Sequence, residues 1–469
     1  MKKVIIIGAG PGGYYSAINL AKSGYKVSLI EKENIGGTCL NVGCIPTKSL
    51  LDQTSLFEHF QTLSAKSIKQ KLFLGDNIQI NIDALKLFQI EVINQLKQGL
   101  EKLFKAKNIE LIYGKAQFLS GNKLQIAHSN DTKHSELEAD EIIIATGSMP
   151  RTIPGFTFDG RLIVSSDNIW NIPYVPKRLL VIGSGPIGIE FARVFKVLGS
   201  TVTVSEIKES LCPILDLELS DNLSRSLKRR GIELKINRAT KFLEKLQDTV
   251  KVEFLSTVDS EREIREYDQV LVAVGRKPNI ENLSIEKAEI ELEPTGFIKT
   301  DEYLKTNKPN IWAIGDVTNY PQLAHTASSQ ARVVSQNITG KKIKFDDRFI
   351  PSCIFGYPEV AFVGFTEEQI KERNIDYKTG KSLYLASGKA KASGLTEGIV
   401  KIIMEINTRK ILGAHIIGAE ASSLIHEIVI AMQNNLTVDQ MTNSIHAHPT
   451  YSEILLEALE DCLGEAIHL

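Results

Sequence analysis

The chain is poor in the features that staple a protein or anchor it. It has only five cysteines and two tryptophans among 469 residues. So few cysteines in so long a chain make no disulfide framework. Neither sign of charge is in excess, since the formal net charge is −1. That excludes the basic footprint of a nucleic-acid-binding protein and a charge-driven role at a membrane surface. Long apolar runs are also missing, those at 142–145 and 179–182 being far too short to cross a bilayer. The N-terminus runs from Met1-Lys2-Lys3 straight into Val4-Ile5-Ile6-Ile7 and Gly8. It lacks the longer apolar region and small-residue cleavage site of a signal peptide. A cytoplasmic protein is expected, or an organellar one whose leader has been removed.

What is present is globular: 43% hydrophobic and 24% charged residues. The length suggests roughly three or four domains. Two of the cysteines, Cys39 and Cys44, are concentrated in Gly36-Gly37-Thr38-Cys39-Leu40-Asn41-Val42-Gly43-Cys44-Ile45-Pro46-Thr47-Lys48. An intracellular pair at short spacing is catalytic or metal-binding. Zinc would want four N/S ligands, usually in two paired clusters. Cys212, Cys353 and Cys462 are scattered singly without a histidine at ligand spacing, so no metal is expected. Pro46 suits the first turn of a helix. Cys44 then lies at or just before a helix N-terminus, where the dipole and Lys48 favour the thiolate. Two inert buried thiols and a solvated Lys48 are the plain alternatives.

Just upstream, an apolar β-rich run at 4–7 leads into Gly8-Ala9-Gly10-Pro11-Gly12-Gly13, a helical stretch at 14–23, and a second strand at 26–30 ending at Glu31. G-x-G-x-x-G between strand and helix, with an acid about 20 residues on, is a dinucleotide fingerprint. Gly8, Gly10 and Gly13 shape the turn, the pyrophosphate sits on helix-start amides, and Glu31 takes ribose hydroxyls. Beside this unit, the cysteine stretch reads as a redox-active disulfide next to a flavin.

The pattern over 49–114 is mostly helical, with a long amphipathic helix over 84–104. Residues 66–82 are less regular and carry no assigned function. Strands at 109–113, 116–119 and 123–127 are expected to form a small antiparallel layer. A buried strand at 141–145 ends in Thr146-Gly147-Ser148, and Pro150, Pro154, Pro173 and Pro176 punctuate a linker.

A second unit of the same kind starts at 179–182. Gly183, Gly185 and Gly188 supply its glycines, and its second strand at 201–205 ends at Glu206. A carboxylate there accepts from the ribose 2′-OH and repels a 2′-phosphate, so NAD is expected rather than NADP. Glu190 opens the helix of this unit. It either complements the helix dipole or pairs with Lys48. The unit closes at Gly275-Arg276-Lys277-Pro278. Another strand ends at Gly315-Asp316, a carboxylate that can reach flavin ribityl hydroxyls or simply make a turn. Ala324 and His325 open a helix whose amides could face an anionic flavin edge.

From 350 the glycine loops stop. Strands at 360–363, 399–406 and 411–417 and helices at 422–433 and 451–465 suggest an α+β domain for association. It contains His446-Ala447-His448-Pro449-Thr450-Tyr451-Ser452-Glu453. Histidine is the usual acid/base near neutral pH. Glu453 could orient it, although Thr450-x-x-Glu453 is also a capping box for the last helix.

Taken together, these motifs resemble the pyridine nucleotide–disulfide oxidoreductases over essentially the whole chain. The likeness is greatest to members that oxidise dihydrolipoamide with NAD. Supporting stretches are Ala145-Thr146-Gly147-Ser148, Ala313-Ile314-Gly315-Asp316-Val317, Leu323-Ala324-His325 and Pro358-Glu359-Val360-Ala361. The resemblance implies an α/β fold with two Rossmann-like nucleotide-binding domains, for FAD and NAD, and a C-terminal α+β dimerisation domain. The expected division is 1–150 (FAD), 151–277 (NAD), 278–349 (central, completing the FAD site) and 350–469 (interface).

By the same resemblance Cys39 is the interchange thiol and Cys44 the thiolate at the flavin. Lys48 and Glu190 pair near it. His448, oriented by Glu453, serves the substrate thiol from the partner subunit. Glu31, Gly114, Thr146, Gly147, Ser148, Asp316 and Ala324 contact FAD, and Glu206, Gly275 and Arg276 lie on the NAD side. The implied partners are a second copy of the chain, and a lipoyl domain with the acyltransferase of a 2-oxoacid dehydrogenase complex or a lipoylated H-protein. Neither nucleic acid nor membrane is expected. Two departures stand out. Residues 66–82 look longer and more irregular than the family shows, and Cys212 falls where an apolar residue is common. No lipoyl domain precedes the first strand, so the chain is not expected to carry its own lipoyl substrate.

Overall fold

The computed structural model describes residues 2–65, 79–128, 134–171 and 174–468. Most of the irregular 66–82 segment lies outside them. Contacts divide the chain into two units: Met1–Thr47, Ile82–Arg151 and Gly275–Asp347 form one, and Lys48–Asn81, Thr152–Val274 and Arg348–Leu469 the other.

The first unit is built on a seven-stranded sheet. Its order is Ile311–Ala313, Glu141–Ile144, Lys3–Ile7, Lys26–Glu31, Glu110–Ser120, Lys123–His128 and His134–Glu138. The first five strands are parallel. Their β-branched runs, such as Val4 to Ile7 and Ile142 to Ile144, are buried on both faces, as a parallel sheet requires. Helix Pro11–Lys22 packs on this sheet and on helix Ala324–Ile338. The segment 278–349 thus contributes an edge strand to the first sheet. The expected strands at 109–113 and 116–119 are one continuous strand, Glu110–Ser120. Its first half pairs in parallel with Lys26–Glu31, and from Gly114 onward it pairs antiparallel with Lys123–His128. A side chain at Gly114 would stand 2.7 Å from the Ala127 carbonyl oxygen, so the crossing point takes glycine.

The second unit holds a five-stranded parallel sheet, in the order Glu233–Lys235, Thr201–Ser205, Arg178–Ile182, Gln269–Val272 and Ile163–Val164. The last strand comes from the proline-punctuated stretch read as a linker. A three-stranded antiparallel sheet over Arg238–Lys245, Val250–Ser256 and Arg262–Tyr267 was not expected from sequence. The C-terminal part has a five-stranded antiparallel sheet in the order Ser352–Ile354, Glu359–Gly364, Ile411–Gly418, Ile399–Glu405 and Tyr377–Leu383. Helices Ala421–Gln433 and Ser452–Leu463 bury their apolar stripes against it. Among the described residues, no helix is long and apolar enough to cross a membrane.

Candidate active site

The cysteine stretch is folded onto the first glycine loop. Gly36 and Gly37 both take positive φ (+85° and +60°) and turn the chain into a short helix, Gly37–Asn41, that carries Cys39. A Cβ on Gly37 would lie 2.7 Å from the Gly10 Cα, and the Gly36 amide donates to the Ala9 carbonyl at 2.8 Å. Asn41 ties the turn by donating to the Ile35 and Gly37 carbonyls. Cys44 is the first residue of helix Cys44–Ala65, with Pro46 in its first turn. Lys48 follows Cys44 by one helical turn, the spacing at which side chains share a face. Both cysteines are partly buried. Tyr14 is close to both: burial first, then Tyr15 and negative charge on either sulfur, push its phenol up to about 12.

The two glycine loops repeat one geometry. Gly8 (φ +100°) and Gly183 (φ +99°) turn the chain out of the sheet. A Cβ on Gly13 would meet the Gly8 carbonyl oxygen at 1.8 Å, and one on Gly188 the Gly183 carbonyl oxygen at 2.1 Å. These positions pack helix on strand. The middle glycines differ, because a Cβ on Gly185 would meet nothing within 4 Å and one on Gly10 only the Gly37 Cα at 3.8 Å. Each sits at a helix N-cap followed by proline. Open space above helix-start amides is the cradle that a pyrophosphate fits. The acids repeat as well. Glu31 accepts from the Ala9 and Glu33 amides at 2.8 and 2.9 Å. Glu206 accepts from the Ser184 and Lys208 amides at 2.9 and 3.0 Å.

In the first unit Ser148 donates to Asp316 Oδ2 at 2.6 Å. Arg276 donates to the Ser148 hydroxyl at 2.8 Å and to its carbonyl at 3.0 Å. Burial raises the Asp316 carboxyl, with Ser148 and Arg276 acting against it. Arg276, read on the NAD side, is thus bonded to Ser148, read on the flavin side, which in turn holds Asp316. Gly275 holds φ +105° and accepts from the Arg151 amide. The Thr146 hydroxyl is buried with no hydrogen-bond partner among the described residues, Gly147 has φ +72°, and Ala324 is the first residue of its helix. An orphaned hydroxyl beside the glycine loop fits a polar cofactor.

In the second unit Glu190 and Lys48 form an ion pair. Lys48 Nζ donates to both of its oxygens, at 3.0 and 2.8 Å, and the Glu190 side chain is only 4% exposed. The Phe355 amide adds a third bond at 3.0 Å, while Lys48 Nζ stands 4.7 Å above the Phe355 ring. Phe355 was invisible to sequence reasoning because no local pattern marks it. Ser184 was missed too, although its place inside the glycine loop is a usable signal.

His448 Nδ1 is 2.8 Å from Glu453 Oε1. The other oxygen of Glu453 accepts from the Thr450 amide at 2.8 Å. Only that half of the expected capping box forms. The Thr450 hydroxyl donates instead to the Ala447 carbonyl, and the helix begins at Ser452. Burial alone would raise the Glu453 carboxyl, but the Thr450 amide and His448 outweigh it and hold it below its ordinary value. An ionised Glu453 accepting from Nδ1–H leaves Nε2 to take a proton. His446 is different, for its side chain is 7% exposed and bonds to Glu427 and Ser444. Among the described residues no cluster of three or more His, Cys, Asp or Glu could hold a metal ion.

The sequence pattern of the pyridine nucleotide-disulphide oxidoreductases matches residues 2–331, and that of their dimerisation domain matches 350–459. The chain belongs to this family. Its members use FAD and NAD(H). It is 35% identical over 466 residues to the dihydrolipoyl dehydrogenase of Bacillus subtilis, covering 99% of this chain and 97% of that one. To the mitochondrial dihydrolipoyl dehydrogenase of Pisum sativum it is 37% identical over 468 residues, covering 99% and 92%. The crystal structure of LpdA from Mycobacterium tuberculosis superposes with a TM-score of 0.89 at 25% identity, covering 98% of this chain and 99% of that one.

Proposed function

We propose that this flavin- and NAD-dependent oxidoreductase oxidises protein-bound dihydrolipoamide to lipoamide through Cys39 and Cys44. The observation that carries the reading is the placement of the cysteine stretch, with Gly37 against Gly10, and with Cys44 opening a helix one turn before a glutamate-paired lysine. A disulfide held there is next to the loop that fits the flavin nucleotide.

His448, oriented by Glu453, takes the proton of one substrate thiol. The resulting thiolate attacks the Cys39 sulfur. A mixed disulfide forms and Cys44 leaves as a thiolate, favoured by the helix start and by Lys48. The second substrate thiol attacks the substrate sulfur of the mixed disulfide, its proton passing to the departing Cys39 sulfur. This closes lipoamide and releases Cys39. The substrate dithiol is then oxidised and the Cys39–Cys44 disulfide reduced. Gly8, Gly10, Gly13, Glu31, Gly114, Thr146, Gly147, Ser148, Asp316 and Ala324 would hold FAD, with Arg276 fixing Ser148. The flavin held there would supply two-electron redox chemistry between the dithiol and the nicotinamide. Gly183, Gly185, Gly188 and Glu206 would hold NAD, the Glu206 carboxylate selecting against a 2′-phosphate.

The dimerisation domain supports a homodimer in which His448 of one chain serves Cys39 of the other. The partners are a lipoyl domain with the acyltransferase of a 2-oxoacid dehydrogenase complex, or a lipoylated H-protein. A steady-state assay of NAD with dihydrolipoamide, run beside NADPH with glutathione disulfide, tests the reading. Turnover is expected in the first pair only, and turnover confined to the second overturns it.

A further inference from the structure

Arg193 lies on the same helix as Glu190, three residues on, so the two share a face. It is only 4% exposed. Burying a guanidinium is costly unless its donors are used. Here Nη1 donates to the Phe355 carbonyl at 3.1 Å, while among the described residues Nε and Nη2 have no hydrogen-bond partner. Burial foremost, then the nearby Arg230, lowers its pKa to about 10, with Glu58, Glu397 and Glu190 acting against them. The neighbouring chain is shaped around it. Gly356 has φ +106°, and a Cβ there would stand 2.7 Å from Arg193 Nη1.

A residue that only filled space would not need a charge in this place. The chemistry around Phe355 explains it. The Phe355 amide donates to Glu190, its carbonyl accepts from Arg193, and its ring lies under Lys48. Three charged side chains therefore grip one residue. Release of the carbonyl would free the Phe355 backbone, and with it the third hydrogen bond of Glu190.

We propose that Arg193 is a positioning residue for the redox reaction: by clamping the Phe355 main chain it holds Glu190, and through Glu190 the ammonium of Lys48, in the place from which Lys48 acts on the Cys44 thiolate. This rests on the function proposed above. The residue touches neither substrate nor cofactor. Its effect runs through Glu190, so it vanishes when Glu190 can no longer hold Lys48.

The test is a double-mutant cycle on the FAD-loaded dimer with Arg193→Met and Glu190→Gln. Measured are kcat and KM for dihydrolipoamide and NAD, the absorption spectrum of the bound flavin, and melting temperature. Arg193→Met is expected to lower kcat by on the order of tenfold, with both KM values within about twofold, because a displaced catalytic group costs rate before binding. The flavin band of Arg193→Met should shift towards that of Glu190→Gln. In the Glu190→Gln background the Arg193 change should add almost nothing. If Arg193→Met does not fold, Arg193→Lys is read in its place, with a smaller loss of kcat expected. A lowered melting temperature with parental kcat and spectrum, or a full additive loss in the double variant, overturns the proposal. Glu190→Gln at parental rate also overturns it, whereas an unmutated enzyme without NAD–dihydrolipoamide turnover would instead sink the functional reading on which it stands.

Discussion

Ser184 and Glu206 meet twice. The amide and the hydroxyl of Ser184 both donate to the same carboxylate oxygen, at 2.9 and 2.7 Å. The Ser184 oxygen in turn accepts from the Cys212 amide at 2.8 Å, so the hydroxyl has no rotational choice left. Glu31, the counterpart in the first unit, receives the Ala9 amide at that oxygen and, among the described residues, no side-chain donor beside it. Glu206 is thus the more tightly aimed of the two acids. Cys212 belongs to this arrangement through its backbone. Its thiol is buried and pushed up to about 12, by burial first and then by Glu206, so it is inert.

Glu206→Arg is expected to raise the NADP-to-NAD ratio of kcat/KM by on the order of tenfold or more, by replacing a charge that repels a 2′-phosphate with one that attracts it. Paired steady-state assays check it, and an unchanged ratio would remove Glu206 from the recognition of the ribose.

The glycines of the second loop should separate by function. Gly185→Ala puts a methyl group into open space at φ −64°. The protein should melt as before while its KM for NAD rises severalfold. Gly188→Ala drives a methyl group to 2.1 Å from the Gly183 carbonyl oxygen, so loss of stability or expression is expected. Thermal melts and NAD titrations of the two variants distinguish them, and equal behaviour would contradict the division of roles.

Cys39→Ser should abolish dihydrolipoamide turnover while FAD stays bound, as read by the flavin spectrum after gel filtration. His448→Gln is expected to cost about 10²–10⁴-fold in kcat, the range of a lost general base, with KM for NAD unchanged. Glu453→Gln should cost less, because its amide can still accept from Nδ1–H but carries no charge to stabilise the imidazolium.

Away from the site, Lys401 is 1% exposed and Asp216 wholly buried. Lys401 Nζ donates to the two Asp216 oxygens at 2.9 and 3.0 Å and to Glu367 at 2.6 Å. Burial alone would raise both carboxyls. Hydrogen bonds from Lys401, Lys371 and Tyr377 instead hold Glu367 at about 2, against an ordinary 4.5. Asp216 is also lowered. His415 stands near it, but burial pushes that imidazole below its ordinary value. Lys401 is therefore the cation that matters at neutral pH. Carboxyls depressed on folding add stability above their unfolded values, and that stability is lost as pH falls through the folded ones. For Glu367 the window runs from about 4.5 down to about 2. Lys401→Met leaves Asp216 buried without its partner and should cost about 3–5 kcal/mol. Urea unfolding at pH 7 checks the magnitude. A melt series from pH 5 to pH 2 checks the sign, the variant having less stability to lose than the parent.

Local chemistry was legible in the sequence. The glycine loops, Glu31 and Glu206 at their strand ends, and Cys39 and Cys44 before Pro46 all lie within one strand-turn-helix or one helix start. Spacing along the chain is then nearly spacing in space. The sequence could also offer Glu190 and Lys48 as a pair, but not choose that over a helix-dipole role, because 142 residues separate them. Only the tertiary structure made that choice. It also brought Phe355 and Arg193 to the pair, set Arg276 on Ser148, made one strand of Glu110–Ser120, and began the last helix at Ser452, so that the Thr450 hydroxyl turned to Ala447 while Glu453 gave one oxygen to His448. The physical reason is common to all of these. A carboxylate or guanidinium buried by folding takes whichever partners the packing delivers, and packing joins segments that the chain holds far apart.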